Sequence, residues 1–580
     1  MTPSIVRVEP LAHRSAGSST SRPSRPLALA LAAFLAWSVA QPAPALADAP
    51  VVDGAAGAFL AGHVALAEGQ IGEAAASLAR ALETRPDDVD LARQVFALHL
   101  ADGDVVAART LAPLVIADGT DAAATDARLF QAIDMLGDDP AAALDLLALI
   151  EDQSLAALIR PLLEAWLAPD PGAAADRLAE TDTQLGDLTV FHRAALLDRA
   201  DRVSDALALL EDLRADAPTA LPERVVAAQA RLLVRADDPE AALQLLQQRE
   251  NGIERSDLLA MTAAEVRRGR LPPPPFASPA AGVADALIAV GELLAAQRRL
   301  LPATVYVRLG LLADPANDAG WLLLGALLAE QEGPAAGIDP LARIDASSPF
   351  HGAAQLEIAD LEARLGDEEA AVARLRGQVE NRPGDARPAM ALGDLLRSEA
   401  RFEEAAEAYG RALDRLGETD ARHWHLYYAR GIAYERSQRW PEAERDLERA
   451  LELQPDQPYV LNYLGYSWVD QGQHLDEAKA MLYRAVELRP EDGYIVDSLG
   501  WAYYRLGDFD RAVELLERAI ELAPGDPVIN DHLGDAYWRV GRLREARFQW
   551  ERALVLDPEP EEVAEIEAKL ENGLPEEDAG

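Results

Sequence analysis

The chain has 580 residues, more than one ordinary hydrophobic core organises, so several domains or an extended array are expected. Hydrophobic residues make up 49% and aromatics only 6%, which points to an alanine- and leucine-rich helical protein. The sequence contains no cysteine, which excludes disulfides, thiolate metal sites, thiol catalysis and a lipidated cysteine, and its formal charge of −44 repels nucleic acid and anionic lipid.

Residues 1–47 read as a cleaved secretory leader. Arg7, Arg14, Arg22 and Arg25 form a basic segment, Leu27 to Ala40 a short apolar one, and Ala45-Leu46-Ala47 a small-residue cleavage site. The alternative is an uncleaved inner-membrane anchor, against which the apolar run falls short of the ~20 residues a span needs. No later stretch is expected to span a bilayer. The mature chain, starting at Asp48, is expected in the periplasm and is more acidic once those arginines are removed.

Residues 48–270 read as an array of degenerate helix pairs. In GHVALAEGQIGEAAASLARALETRP, the small residues Gly62, Ala74 and Ala81 and the stop residue Pro86 set a pattern that starts near Ala55. Ala108, Ala142, Ala175, Ala206 and Ala241 then begin second helices at a period near 34, and Pro140, Pro171 and Pro239 suit first-turn positions, where a missing N–H costs nothing. An irregular α-bundle is the alternative. Residues 271–283, with LPPPPFASP at Leu271–Pro279, favour an extended polyproline conformation and read as a stiff connector dividing two halves; a ligand for a proline-recognising domain is the other reading.

From 284 to 558 the register sharpens. The small-residue slot falls at Gly291, Gly325, Ala359, Gly393, Gly431, Gly465, Gly500 and Gly534, and stop prolines follow at Pro315, Pro349, Pro383, Pro455, Pro490, Pro524 and Pro558. One unit departs, with Gly417 in the proline's place and extra residues around Glu418–Arg422, which predicts a lengthened turn. Three near-copies stand out: NYLGYSWVDQG at Asn462–Gly472, DSLGWAYYRLG at Asp497–Gly507 and DHLGDAYWRVG at Asp531–Gly541. Each precedes a second phrase ending in proline, AKAMLYRAVELRP, AVELLERAIELAP and EARFQWERALVLDP. Residues 559–572 read as a charged capping helix, and 573–580 as a disordered tail.

These phrases closely resemble the tetratricopeptide repeat (TPR), a helix–turn–helix unit of 34 residues. The resemblance implies an all-α, right-handed superhelical solenoid of about fourteen helix pairs, stabilised by stacking of neighbours. More narrowly, the run from Leu461 through Arg542 is similar to the C-terminal repeats of periplasmic adaptors that deliver substrates to carboxy-terminal processing proteases. Those adaptors are usually lipoproteins, and without a cysteine that anchoring does not carry over.

Nothing in the sequence marks an enzyme, a cofactor or a metal. None of the nine histidines lies in an HExxH pair, and phosphate-binding GxxxxGK[ST] and nucleophile GxSxG motifs are absent. His423 and His425 lie two apart, wrong for one helix face. The expected function is a non-catalytic scaffold or adaptor binding protein or peptide partners in its concave groove. The alternative is an architectural subunit of an envelope assembly, polysaccharide export or secretion machine.

The first-helix face that the family turns toward its groove carries Tyr459, Asn462 and Tyr466, then Tyr494, Asp497, Trp501 and Tyr504, then Asp531, Asp535 and Trp538, with His425 and Tyr428 continuing the stripe. Arg436, Arg505 and Arg539 supply cations at its edge. Tyr466, Tyr494, Trp501, Tyr504 and Trp538 are expected to form one solvent-facing patch with Trp501 near its centre. Trp468, Tyr503, Tyr537 and Trp550 are expected in the interior. In the family's clamp for a partner's C-terminal carboxylate, Asn462 matches one slot, whereas Asp497 and Asp531 stand where a cation or amide is used.

Overall fold

The computed structural model describes residues 54–117, 122–150, 154–181, 185–216, 222–250 and 256–575; residues 1–47, expected as a leader, and residues 576–580 lie outside them. Every regular element among the described residues is helical, thirty α-helices in all with one short 3-10 turn. Two compact units divide the chain between Asn381 and Arg382.

The first unit opens with the pairs α1/α2 (Ala55–Ala67, Ile71–Glu83), α3/α4 (Val89–Asp102, Val105–Ala117) and α5/α6 (Ala122–Asp134, Pro140–Ala148). Next come α7/α8 (Leu155–Leu167, Pro171–Glu180), α9/α10 (Asp187–Arg199, Val203–Asp216), α11/α12 (Glu223–Arg235, Pro239–Glu250) and the unpaired α13 (Asp257–Arg267). It closes with α14/α15 (Pro279–Ala296, Leu300–Ala313), α16/α17 (Asp318–Gln331, Pro334–Ala342) and α18/α19 (His351–Arg364, Glu368–Asn381). Local chemistry sets these boundaries. Side chains of Asp88, Asp139, Ser154, Asp170 and Ser278 accept hydrogen bonds from helix-start N–H groups, and Pro140, Pro171 and Pro279 sit in first turns.

The proline segment does not separate two halves as expected. It is a strap inside the first unit, because its aromatic residue and its backbone are both anchored. Phe276 is buried, edge-on to Trp166 at 5.1 Å and stacked on His192 at 5.2 Å and 14°, and Arg231 donates to the carbonyl of Pro272. Beyond the strap, α14 and α15 pack against α3, α5, α7 and α9, first helices of the preceding pairs. Tyr306 donates to Asp126 at 3.2 Å, Arg308 to the carbonyl of Ala101 at 3.2 Å, and Gly282 lies so close to the Trp166 indole that a Cβ would overlap it. The face of this array that a partner would enter is therefore filled by the chain's own helices. Contrary to the sequence reading, α14 is long and apolar enough to cross a membrane, but 61% of it is buried within this core.

The second unit is regular: α20/α21 (Arg387–Ser398, Phe402–Leu416), α22/α23 (Trp424–Arg436, Trp440–Leu453), α24/α25 (Pro458–Asp470, Leu475–Leu488), α26/α27 (Gly493–Arg505, Phe509–Leu522), α28/α29 (Pro527–Arg539, Leu543–Val555) and the single α30 (Pro560–Asn572). The small-residue slot works as close approach requires. A Cβ on Gly534 would meet Trp550 at 2.5 Å, and one on Gly500 would meet Leu516 at 2.8 Å. The extra residues after Gly417 form the lengthened turn, a 3-10 helix at Ala421–His423 whose first N–H groups Asp420 satisfies.

Candidate partner-binding face

The structure sorts the predicted groove residues by depth. Tyr459 and Tyr494, at the same register on α24 and α26, are exposed at 38% and 37%, with the Arg489 guanidinium 5.9 Å from the Tyr459 ring. Arg505 is exposed and paired with Asp470 at 3.1 Å. His425, Trp501, Asp531, Trp538 and Arg539 are half-buried. Tyr428, Asn462, Tyr466, Asp497, Tyr504 and Asp535 are buried, each at 8% exposure or less.

One open patch running from Tyr466 through Trp501 to Trp538 therefore does not exist. Equivalent first helices lie side by side, and large side chains at neighbouring slots lean onto one another instead of projecting into the groove. Trp501 is sandwiched between Tyr504, at 4.6 Å and 9°, and His532, at 4.0 Å and 14°. Burial raises the phenol pKa of Tyr428, Tyr466 and Tyr504. Of the residues expected inside, Trp468, Tyr537 and Trp550 are buried, while Tyr503 is half-buried and its hydroxyl accepts from Arg511 at 3.2 Å.

Beneath the aromatics runs a line of paired charges. His532 Nδ1 meets the Asp497 carboxylate at 3.0 Å, and although burial disfavours the charged ring, Asp497 with Asp531 and Asp535 raises its pKa overall. Lys569, from α30, reaches Asp531 at 2.6 Å and Asp535 at 2.9 Å; Asp535 also accepts from the Trp550 indole at 2.9 Å. Burial and the neighbouring Asp531 push Asp535 up to about 6 despite that lysine. Asp531 and Asp535 are thus engaged by the chain itself. Arg539 likewise donates to the Tyr504 hydroxyl at 3.3 Å and to the Pro575 carbonyl at 2.9 Å. The tail expected to be disordered is ordered through Pro575, with Gly573 against the Trp538 ring.

A second buried cluster, in the first unit, escaped the sequence reading. Trp166 donates to His192 Nδ1, His192 Nε2 lies 3.3 Å from the Asp285 carboxylate without a hydrogen bond, and Arg224 donates to the other Asp285 oxygen, the whole cluster closed by Phe276 over the His192 ring. His192 is fully buried, and none of these five residues is a serine, threonine or lysine. The cluster joins α7, α9 and α11 to α14. A carboxylate at Asp285 within so apolar a helix was the available signal.

The tetratricopeptide repeat profile matches residues 390–458, 428–493, 465–527 and 498–563. Residues 390–563 are tetratricopeptide repeats. Solved structures similar to the chain include a TPR protein from Parabacteroides merdae, 15% identical, covering 50% of this chain and 99% of that one at a TM-score of 0.34. YrrB, described as a TPR protein with an unusual peptide-binding site, is 24% identical over 33% of this chain and 97% of its own, at 0.27. MamA is 26% identical over 29% and 97%, at 0.25. No curated protein matches the chain.

Proposed function

We propose that the chain is a non-catalytic scaffold whose tetratricopeptide repeats hold a protein or peptide partner across α24 and α26. The observation that carries this reading is the exposed pair Tyr459 and Tyr494. They are rigid amphipathic rings at equivalent positions of adjacent first helices, the residue type that anchors interfaces. The half-exposed edge of Trp501 extends the row. The first unit favours this assignment by default, because its corresponding face is filled by α14 and α15. In the full reading the leader exports the chain to the periplasm, where it acts as an adaptor that presents proteins to an envelope protease.

The test is affinity capture from an extract of the source cell with the tagged full chain and its Tyr459→Ala/Tyr494→Ala variant, the two matched in melting temperature. A partner retained by the wild type and reduced at least tenfold by the variant supports the reading. Equal recovery by both removes the row from the interface.

A further inference from the structure

The last repeat carries a ready-made template for a ligand: the chain's own C-terminal helix. On α30 only Ile566 is fully buried among the side chains described, with Leu570 and, beyond the helix, Leu574 packed against the same cluster as Trp501, Tyr504, Trp538 and Trp550. Its Ala564, Glu565, Glu567, Ala568 and Glu571 are exposed. An apolar edge and one ammonium group hold this helix down, with Arg547 donating to the Leu570 carbonyl and Arg539 to the Pro575 carbonyl at its C-terminal end.

That ammonium fills a socket that demands a cation. Asp531 and Asp535 stand one turn apart on α28, so they repel, and both are largely withdrawn from water with side-chain exposures of 20% and 6%. Asp531 Oδ1 is buried without a hydrogen-bond partner even with Lys569 in place. The lysine is itself unusual, since Lys479 is the chain's only other one and all remaining side-chain cations of this type are arginine. A compact ammonium suits the space between two carboxylates at 2.6 and 2.9 Å, which a planar guanidinium fork does not.

We propose that this face is a second docking surface, for a partner's amphipathic helix presenting a lysine with an isoleucine or leucine three residues before it and a leucine after it. The helix α30 occupies the surface in cis and gives way to such a partner. Charge complementarity favours that occupant: a second acidic helix without a lysine meets two buried carboxylates, and leaving them unpaired is strongly unfavourable. The inference deepens the scaffold reading and rests on it.

The experiment uses the full chain and a labelled peptide of residues 558–575, followed by fluorescence anisotropy. Lys569→Glu drives α30 out of its own socket, and Ile566→Ala loosens it without touching the carboxylates; circular dichroism checks that both stay helical. Each variant should bind the peptide at least tenfold more tightly than the wild type does. A peptide with alanine in place of the lysine should not bind, and Asp531→Asn/Asp535→Asn added to Lys569→Glu should abolish binding. Folded variants that ignore the peptide overturn the proposal. So does equal binding of the lysine and alanine peptides, or a wild-type dimer that the socket substitutions dissociate, which would make a second copy the occupant. The Tyr459/Tyr494 capture leaves the socket untouched, so failure here and failure there are separate results.

Discussion

The indole N–H of Trp166 donates to Nδ1 of His192 at 2.7 Å, and this fixes the tautomer of a fully buried ring. With Nδ1 accepting, the proton sits on Nε2, which faces Asp285 Oδ2 at 3.3 Å, while Arg224 donates to the other oxygen at 2.6 Å. Burial works against the Asp285 carboxylate, but Arg224 and His192 outweigh it and hold its pKa below the ordinary value. His192→Ala removes the middle of this chain and the stack on Phe276, leaving an indole N–H unpaired. It should destabilise the first unit by about 3 kcal/mol, read as a lower thermal midpoint by circular dichroism.

The glycine slots give a paired test of the repeat packing. Gly534→Ala forces a methyl group against Trp550, which is fully buried, and should cost about 2 kcal/mol. A Cβ on Gly525 meets nothing within 4 Å. Gly525→Ala should leave the urea midpoint unchanged or raise it slightly, since it mainly restricts the unfolded chain.

The second unit should lose stability as pH rises from 5 to 8. Asp535, pushed up to about 6 by burial and by Asp531, and His532, raised by its three aspartates against burial, both have folded-state pKa values above their unfolded ones. The folded chain therefore holds extra protons, and the stability they bring is complete below the unfolded values and lost as pH climbs through the folded ones. Asp385, held low by Arg387 and Arg382 against its burial, acts the other way only in stronger acid. Differential scanning calorimetry should show the midpoint falling across this window, and Asp535→Asn should flatten the fall.

How much the sequence disclosed depended on the range of the interaction. Helix pairs, the lengthened turn at Ala421–His423 and the cap at α30 follow from local signals, chiefly Pro, Gly and small residues at a fixed period. The face carried by Tyr494, Asp497, Trp501 and Tyr504 is likewise set by register. Depth on that face is not, because it depends on what the next first helix offers: His532 and Tyr504 stack on Trp501, whereas Tyr494 stays 37% exposed. Closure of the first array was out of reach for the same reason, since the contacts of Gly282 with Trp166 and of Tyr306 with Asp126 join residues far apart in the chain.

Trp501 and Tyr494 accordingly part company under mutation. Trp501→Ala breaks a three-ring stack and should lower stability by about 2 kcal/mol along with binding. Tyr494→Ala should change stability by less than about 0.5 kcal/mol, as surface substitutions do, and act on binding alone. Melting curves beside partner titrations distinguish the two.

The most direct measurement of where a partner sits is amide hydrogen exchange of the full chain with and without the captured partner. Slowed exchange concentrated in α24 and α26, spanning Pro458–Asp470 and Gly493–Arg505, is the expected result. Protection confined to the first unit, with those two helices exchanging as in the free chain, would contradict it.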